Sequence, residues 1–309
     1  MIFDRRHIIS TRDFSREEID HVLDVAAKLE PLARKGRSGL LKDLIVATLF
    51  YEPSTRTRLS FEAAVKRLGG TTIGFDTATA SSVAKGESLA DTVRIIESYA
   101  DAIVLRHPRE GAARMASEIA RVPVVNAGDG AGHHPTQTLL DLYTMRKECH
   151  KPIGDLNVAI VGDLRYGRTV HSLSYALSLY GARLTFVAPE PLKMPPSIIN
   201  YLRRRGIQLT ETPDLARVLG DADVLYMTRI QKERFPDPAE YLKVAGSYRL
   251  TPEALQGVRD DLIVMHPLPR VDEIDPAVDA SPHARYFQQS FYGVPVRMAL
   301  LKMLIGGGA

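Results

Sequence analysis

Leu44-Ile-Val-Ala-Thr-Leu-Phe-Tyr-Glu-Pro-Ser-Thr-Arg-Thr-Arg-Leu-Ser-Phe61 is the stretch that decides how this chain folds. Its first seven residues form a near-continuous apolar run, the pattern of a strand covered on both faces, as in parallel sheets. Pro53 cannot propagate a helix backward and Ser54 is a good N-cap, so a helix is expected to begin there. It continues through Leu59, Ala63, Ala64, Val65 and Leu68, and Gly69-Gly70 stops it. A buried strand that turns directly into a helix is the unit from which α/β sheets are built.

Working outward, the same alternation recurs. Thr71–Phe75, Ala102–Leu105 and Val122–Asn126 read as further strands, with a helix from about Glu87 to Tyr99 among them. A second series follows Lys151-Pro-Ile-Gly154, with strands at Leu156–Val161, Arg183–Val187, Ile207–Thr210, Asp223–Met227 and Leu262–Met265. The expected fold class is α/β with two domains, each a mainly parallel sheet flanked by helices. The first takes residues 1–135 plus 290–309, the second 150–289, and a helix of about 136–149 links them. A last helix is expected from Pro295 to Leu304, and the polar stretch Arg229 to Arg249 reads as a long loop of functional type.

The bulk properties bound the function. The chain has 309 residues, 45% hydrophobic and 25% charged, the balance of a soluble globular protein. A formal net charge of +3 is too small and dispersed to indicate nucleic acid or a membrane surface. Cys149 is the only cysteine, which excludes an intrachain disulfide and a cysteine-based metal site and fits a reducing compartment. Neither a signal-peptide core nor an apolar run of membrane-spanning length is visible, so the expected location is cytoplasmic.

The turn itself carries chemistry. Ser54, Thr55, Arg56 and Thr57 fall at a helix start, where free N–H groups and the helix dipole favour an anion. Two hydroxyl side chains and a guanidinium add donors that suit a tetrahedral phosphate. The same residues also suit a well-capped surface helix. A Walker loop is absent, which points to a phosphate compound smaller than a nucleoside triphosphate.

Phe50-Tyr-Glu-Pro-Ser-Thr-Arg-Thr-Arg58 resembles the carbamoyl phosphate signature of the carbamoyltransferases. Leu105-Arg-His-Pro108, His134-Pro-Thr-Gln-Thr-Leu-Leu-Asp141, Val161-Gly-Asp-Leu-Arg-Tyr-Gly-Arg-Thr-Val-His171, Met227-Thr-Arg-Ile-Gln-Lys-Glu-Arg234 and His266-Pro-Leu-Pro-Arg270 resemble it too. Their order and spacing are similar to the aspartate carbamoyltransferase catalytic chain over essentially the whole length. The resemblance implies transfer of a carbamoyl group from carbamoyl phosphate to L-aspartate, an early step of pyrimidine biosynthesis, with no cofactor and no metal in this chain. Ser54, Thr55, Arg56 and Thr57 would bind the phosphate. Thr57, Arg106 and His134 would donate to the carbonyl oxygen as an oxyanion hole, and Gln137 would contact the carbamoyl NH2. Arg168, Arg229 and Gln231 match aspartate-binding positions, since a dicarboxylate calls for guanidinium forks. Pro267 and Leu268 would offer backbone carbonyls near the attacking amine. Ser81 and Lys85 match a loop that reaches a neighbouring subunit's site, which implies a homotrimer with shared sites. Closure of the two domains would exclude water, and a separate zinc-bearing regulatory chain is a possible partner. His133 departs from the residue expected beside His134.

Three other readings stand beside this one. Ornithine carbamoyltransferases share the first-domain motifs, but the His-Cys-Leu-Pro and Ser-Met-Gly segments of that branch are missing, and Thr228-Arg-Ile-Gln231 would repel an ammonium. A nicotinamide-dependent oxidoreductase is suggested by Val161-Gly-Asp-Leu-Arg-Tyr-Gly167, yet Asp163 and Arg165 stand where small residues should admit a pyrophosphate. A non-catalytic binding protein would keep carbamoyl phosphate binding without turnover.

Overall fold

The computed structural model describes residues 7–77, 86–230, 235 and 237–306. The chain divides into two compact units, Met1–Leu140 with Phe291–Ala309, and Asp141–Ser290.

The first unit opens with a helix not anticipated from the sequence, α1 (Arg16–Arg34), although its start carries a legible signal. Ser15 and Glu18 form a reciprocal capping box, each side chain bonded to the other's backbone N–H. The strands β1 (Ile45–Phe50), β2 (Thr71–Phe75), β3 (Ala102–His107) and β4 (Val124–Asp129) pair in the order β2-β1-β3-β4, all parallel. β1 is buried from its second residue onward, as its apolar run requires, and Ala47, Leu49, Ile103, Leu105 and Val124 build one core cluster. Between the strands lie α2 (Thr55–Leu68), α3 (Leu89–Ile96) and α4 (Ala112–Ile119). Gly69 ends α2 in the left-handed conformation at φ 92°, as the Gly-Gly stop implies. α3 is shorter than the expected Glu87–Tyr99, because Ser88 caps its start and Glu97 to Tyr99 turn away. The helix α5 (Pro135–Glu148) begins in this unit, and the division falls within it.

The second unit holds β5 (Asn157–Val161), α6 (Arg168–Tyr180), β6 (Arg183–Val187), α7 (Pro196–Arg204), β7 (Leu209–Thr212), α8 (Ala216–Leu219), β8 (Val224–Met227), α9 (Pro238–Leu242) and β9 (Ile263–Met265). Its parallel sheet has the order β7-β6-β5-β8-β9. β7 lies two residues later than expected, since Gln208 lends only its carbonyl to Leu184 and pairing starts at Leu209. α9 breaks the stretch read as a continuous loop, with Asp237 as its cap and Pro238 at its first position. The final helix α10 runs from Tyr286 to Ile305, nine residues earlier than Pro295 suggested. Pro295 therefore lies inside a helix, where it removes one backbone bond that flanking turns tolerate. Among the described residues no helix is long and apolar enough to cross a membrane.

Candidate active site

In an open parallel sheet, ligands bind at the carboxyl ends of the strands, where the strand order reverses. Each unit has one such point. In the first it lies between β1 and β3, joined in register at Phe50 and Arg106. In the second it lies between β5 and β8. Of the site residues expected from the sequence, Ser54 to Thr57 and Arg106 lie at the first of these points and Arg168 and Arg229 at the second.

At the first point α2 starts directly after β1. Ser54 occupies the N-cap with φ −158° and ψ 92°, yet its side chain makes no capping bond. The first backbone bond of the helix is Arg58 N–H to the Ser54 carbonyl at 3.3 Å, so the N–H groups of Thr55, Arg56 and Thr57 have no partner within the helix. Ser54 is thus the N-cap residue the sequence suggests, but its hydroxyl takes no part in the cap. The two arginines of the turn divide. Arg58 is tied to Glu62 at 2.8 Å and Asp76 at 2.7 Å, and these bonds, Glu62 first, hold its pKa above the ordinary value. Arg56 carries no ion pair among the described residues, and partial desolvation lowers its pKa. Thr55 and Arg56 are exposed, whereas Thr57 is buried.

Across the same crevice Arg106 ends β3. One guanidinium nitrogen donates to the Ala127 carbonyl at 3.2 Å and another pairs with Glu52 at 2.6 Å. Glu52, from the turn after β1, thus holds the cation whose expected role is to meet a carbonyl oxygen. The third arm comes from β4. Asp129 is 4% exposed and accepts from the Gly111 N–H, the His133 N–H and the Asn126 amide, each at 2.9 Å. Asn126 also reaches the Ile9 carbonyl at 2.9 Å. This frame fixes the loop that delivers His134 to the start of α5, where its carbonyl accepts from the Gln137 and Thr138 N–H groups. Of the histidine pair, His134 is buried and His133 half-buried, with its pKa lowered chiefly by desolvation. Gln137 is buried in the first turn of α5.

At the second point α6 starts after the β5 turn with Gly167 at its N-cap and no side-chain cap, and Arg168, its first residue, is buried. Arg229 stands half-buried two residues beyond β8. β5 and β8 meet closely: Gly162 has φ 119°, and a Cβ there would lie 2.3 Å from the Thr228 carbonyl oxygen. Pro267 and Leu268 follow β9, half-buried. His266 ahead of them is buried; its Nδ1 accepts the Leu268 N–H at 2.8 Å while Nε2 lies 2.7 Å from Glu273. Burial alone would raise the Glu273 pKa. The bond from His266, with the backbone N–H groups around Val271, instead brings it down to about 2. Arg270 anchors the far side of the turn on Asp279, which Tyr286 also holds.

Gln231, Ser81 and Lys85 lie outside the described residues. Sequence reasoning gave no role to Glu52, Asn126, Asp129 or Glu273. The first two sit in or beside quoted motifs, but their bonds join segments 50 or more residues apart, which no local pattern reveals. Among the described residues no group of three or more His, Cys, Asp or Glu side chains is gathered to hold a metal ion.

Two family models cover most of the chain. Residues 6–147 match the carbamoyl-P binding domain of aspartate/ornithine carbamoyltransferase, and residues 154–304 match its Asp/Orn binding domain. The aspartate carbamoyltransferase catalytic subunit of Methanocella arvoryzae is 78% identical over 99% of both chains. Among solved structures, the catalytic subunit of M. jannaschii aspartate transcarbamoylase is 58% identical with a TM-score of 0.90, covering 97% of this chain and 98% of that one. The Trypanosoma cruzi enzyme in complex with carbamoyl phosphate and aspartate is 40% identical with a TM-score of 0.92, over 97% of this chain and 96% of that one.

Proposed function

Since the chain belongs to the aspartate/ornithine carbamoyltransferase family, we infer that it transfers the carbamoyl group of carbamoyl phosphate to L-aspartate, a step of pyrimidine biosynthesis. The observation that carries the reading is the pair of switch points. One gathers uncapped amides, hydroxyls and Arg56 beside Arg106, which suits a phosphate joined to a carbonyl. The other flanks its crevice with Arg168 and Arg229, which suits a dicarboxylate and would repel the side-chain ammonium of ornithine.

In this reading residues 1–135 with 290–309 form the carbamoyl phosphate-binding domain, 150–289 the aspartate-binding domain, and 136–149 the linking helix. Ser54, Thr55, Arg56 and Thr57 take the phosphate. Thr57, Arg106 and His134 donate to the carbonyl oxygen as charge grows there, and Gln137 orients the carbamoyl NH2. Arg106 must leave Glu52, or share it, to do so. Arg168, Arg229 and Gln231 hold the acceptor while the Pro267 and Leu268 carbonyls face its amine. The neutral amine attacks the carbamoyl carbon and phosphate departs, chemistry that fixed donors and orientation suffice to accelerate.

We further propose a homotrimer in which Ser81 and Lys85 complete a neighbour's site. Leu59, Ile95 and Tyr99, large apolar side chains 45–58% exposed in the first unit, suit a face that another copy covers. Mixing Lys85→Ala with Arg56→Ala chains under subunit exchange should restore part of the activity; no recovery refutes shared sites. The relatives are named catalytic subunits, which supports a separate regulatory chain as partner, with any zinc belonging to it. The lone cysteine supports a cytoplasmic location.

The test of the function is phosphate release from carbamoyl phosphate with L-aspartate or L-ornithine offered separately. Aspartate-dependent release with N-carbamoyl-L-aspartate as product is expected; ornithine dependence would overturn the acceptor assignment.

A further inference from the structure

The two arms expected to hold the acceptor leave different strands of the second sheet, and one buried carboxylate reaches both. Asp141, on α5, is fully buried. Its Oδ2 accepts the Tyr226 hydroxyl at 2.8 Å, and Tyr226 lies in β8, three residues before Arg229. Its Oδ1 accepts the Gln289 side-chain amide at 2.7 Å. Gln289, from α10, returns its carbonyl oxygen to the His266 backbone N–H at 2.8 Å, at the end of β9. His266 continues the chain. Because its Nδ1 accepts the Leu268 N–H, the ring proton must sit on Nε2, where it is donated to Glu273. Leu268 is thereby held at φ 53°, a left-handed conformation that a leucine rarely adopts. Such a conformation persists only where its surroundings over-determine it, and the His266 bond supplies that constraint.

We propose that Asp141 is a positioning residue for the acceptor site. It acts through Tyr226 on the Arg229 arm and through Gln289 and His266 on the Pro267–Leu268 carbonyls. The inference rests on the aspartate assignment above. Each partner is buried and uses directed bonds, so losing one member leaves the others misaligned as well as unpaired. The two arms serve different parts of aspartate: a guanidinium for a carboxylate, and backbone carbonyls for the amine. The branches therefore predict separable effects.

Tyr226→Phe cuts the first branch while keeping the ring in its packed place; Gln289→Met cuts the second; Asp141→Ala removes both acceptors and so cuts both. For each purified full-length protein we would measure kcat, KM for aspartate, inhibition by succinate (a dicarboxylate without the amine), carbamoyl phosphate Kd and Tm. Tyr226→Phe should raise KM for aspartate and Ki for succinate together, by about three- to thirtyfold. Gln289→Met should lower kcat by a similar factor and leave succinate inhibition near wild type. Asp141→Ala should show both effects, and carbamoyl phosphate Kd should hold within about twofold in all three. The proposal is overturned if the variants lower Tm without altering aspartate kinetics, or if carbamoyl phosphate Kd moves as far as the aspartate KM. A wild-type protein that is inactive with aspartate refutes the acceptor reading instead, and the inference with it.

Discussion

Asp129→Asn is the substitution that most directly tests how the loop bearing His134 is held. The carboxylate is nearly buried, and three donors converge on it from Gly111, His133 and Asn126. Asparagine keeps Oδ1 facing the His133 N–H and the Asn126 amide. It turns an NH2 group onto the Gly111 N–H, so one charge-assisted bond becomes a donor facing a donor. A bond to a charged group contributes about 1.5–3 kcal/mol, so asparagine should cost roughly 2 kcal/mol. Alanine leaves all three donors unmatched. At about 1–3 kcal/mol per donor, and with water able to reach the loop at Gly111, the expected loss is roughly 3–5 kcal/mol.

The effect on rate follows from position rather than stability. His133 is tied to Asp129 through both its N–H and its carbonyl just before His134, so loosening the N–H should displace the imidazole by a fraction of an ångström to an ångström. A misplacement of that size costs up to about 100-fold in rate. The chain has no tryptophan, so unfolding is best followed by circular dichroism in urea, beside steady-state carbamoyl aspartate formation. The expected outcome for Asp129→Asn is lower stability together with a ten- to hundredfold fall in kcat (about 1.4–2.8 kcal/mol) and little change in KM for aspartate. An asparagine variant within about 0.5 kcal/mol of wild type and within twofold in kcat would refute the claim that this carboxylate frames the site.

Other substitutions probe the remaining contacts. His134→Ala should lower kcat by about two to three orders of magnitude with only a modest change in Tm, and Arg56→Ala should weaken carbamoyl phosphate binding more than it alters KM for aspartate; isothermal titration and initial rates separate the two. Gly162→Ala places a Cβ 2.3 Å from the Thr228 carbonyl oxygen at a positive φ, so it should destabilise by about 2–4 kcal/mol and raise KM for aspartate by displacing Arg229; an unchanged KM would uncouple that contact from the site. Glu273 has a folded pKa of about 2 against an ordinary value of 4.5. A depressed carboxylate stabilises above its ordinary pKa, and that stability is lost as pH falls through the folded value. Stability should therefore fall as pH drops from about 4.5 toward 2, and Glu273→Gln should flatten this limb in acid unfolding followed by circular dichroism.

Much of this protein was legible without its structure, for a physical reason. A buried parallel strand must be apolar throughout, and a helix that starts directly after it needs a proline and a capping residue at the turn, so Leu44 to Phe61 announces both elements in one contiguous segment. The sequence could likewise place Arg106, His134 and Arg168, because each sits at the end of a strand or the start of a helix that local patterning marks. It misjudged Pro295, since a proline's local preference for a helix start gives way when flanking turns pack well enough to absorb a missing bond. It overlooked α1, whose capping box was present but unread. What local patterning could not reach are the partners that join distant segments: Glu52 with Arg106, Asp129 with Gly111, and Asp141 with Tyr226 and Gln289, the last separated by 148 positions. By itself the sequence determined which groups to expect at the strand ends and helix starts, because their identities and spacings are local. Tertiary structure alone decided which residues hold those groups in position, because a hydrogen bond depends on distance in space and leaves no periodic trace along the chain.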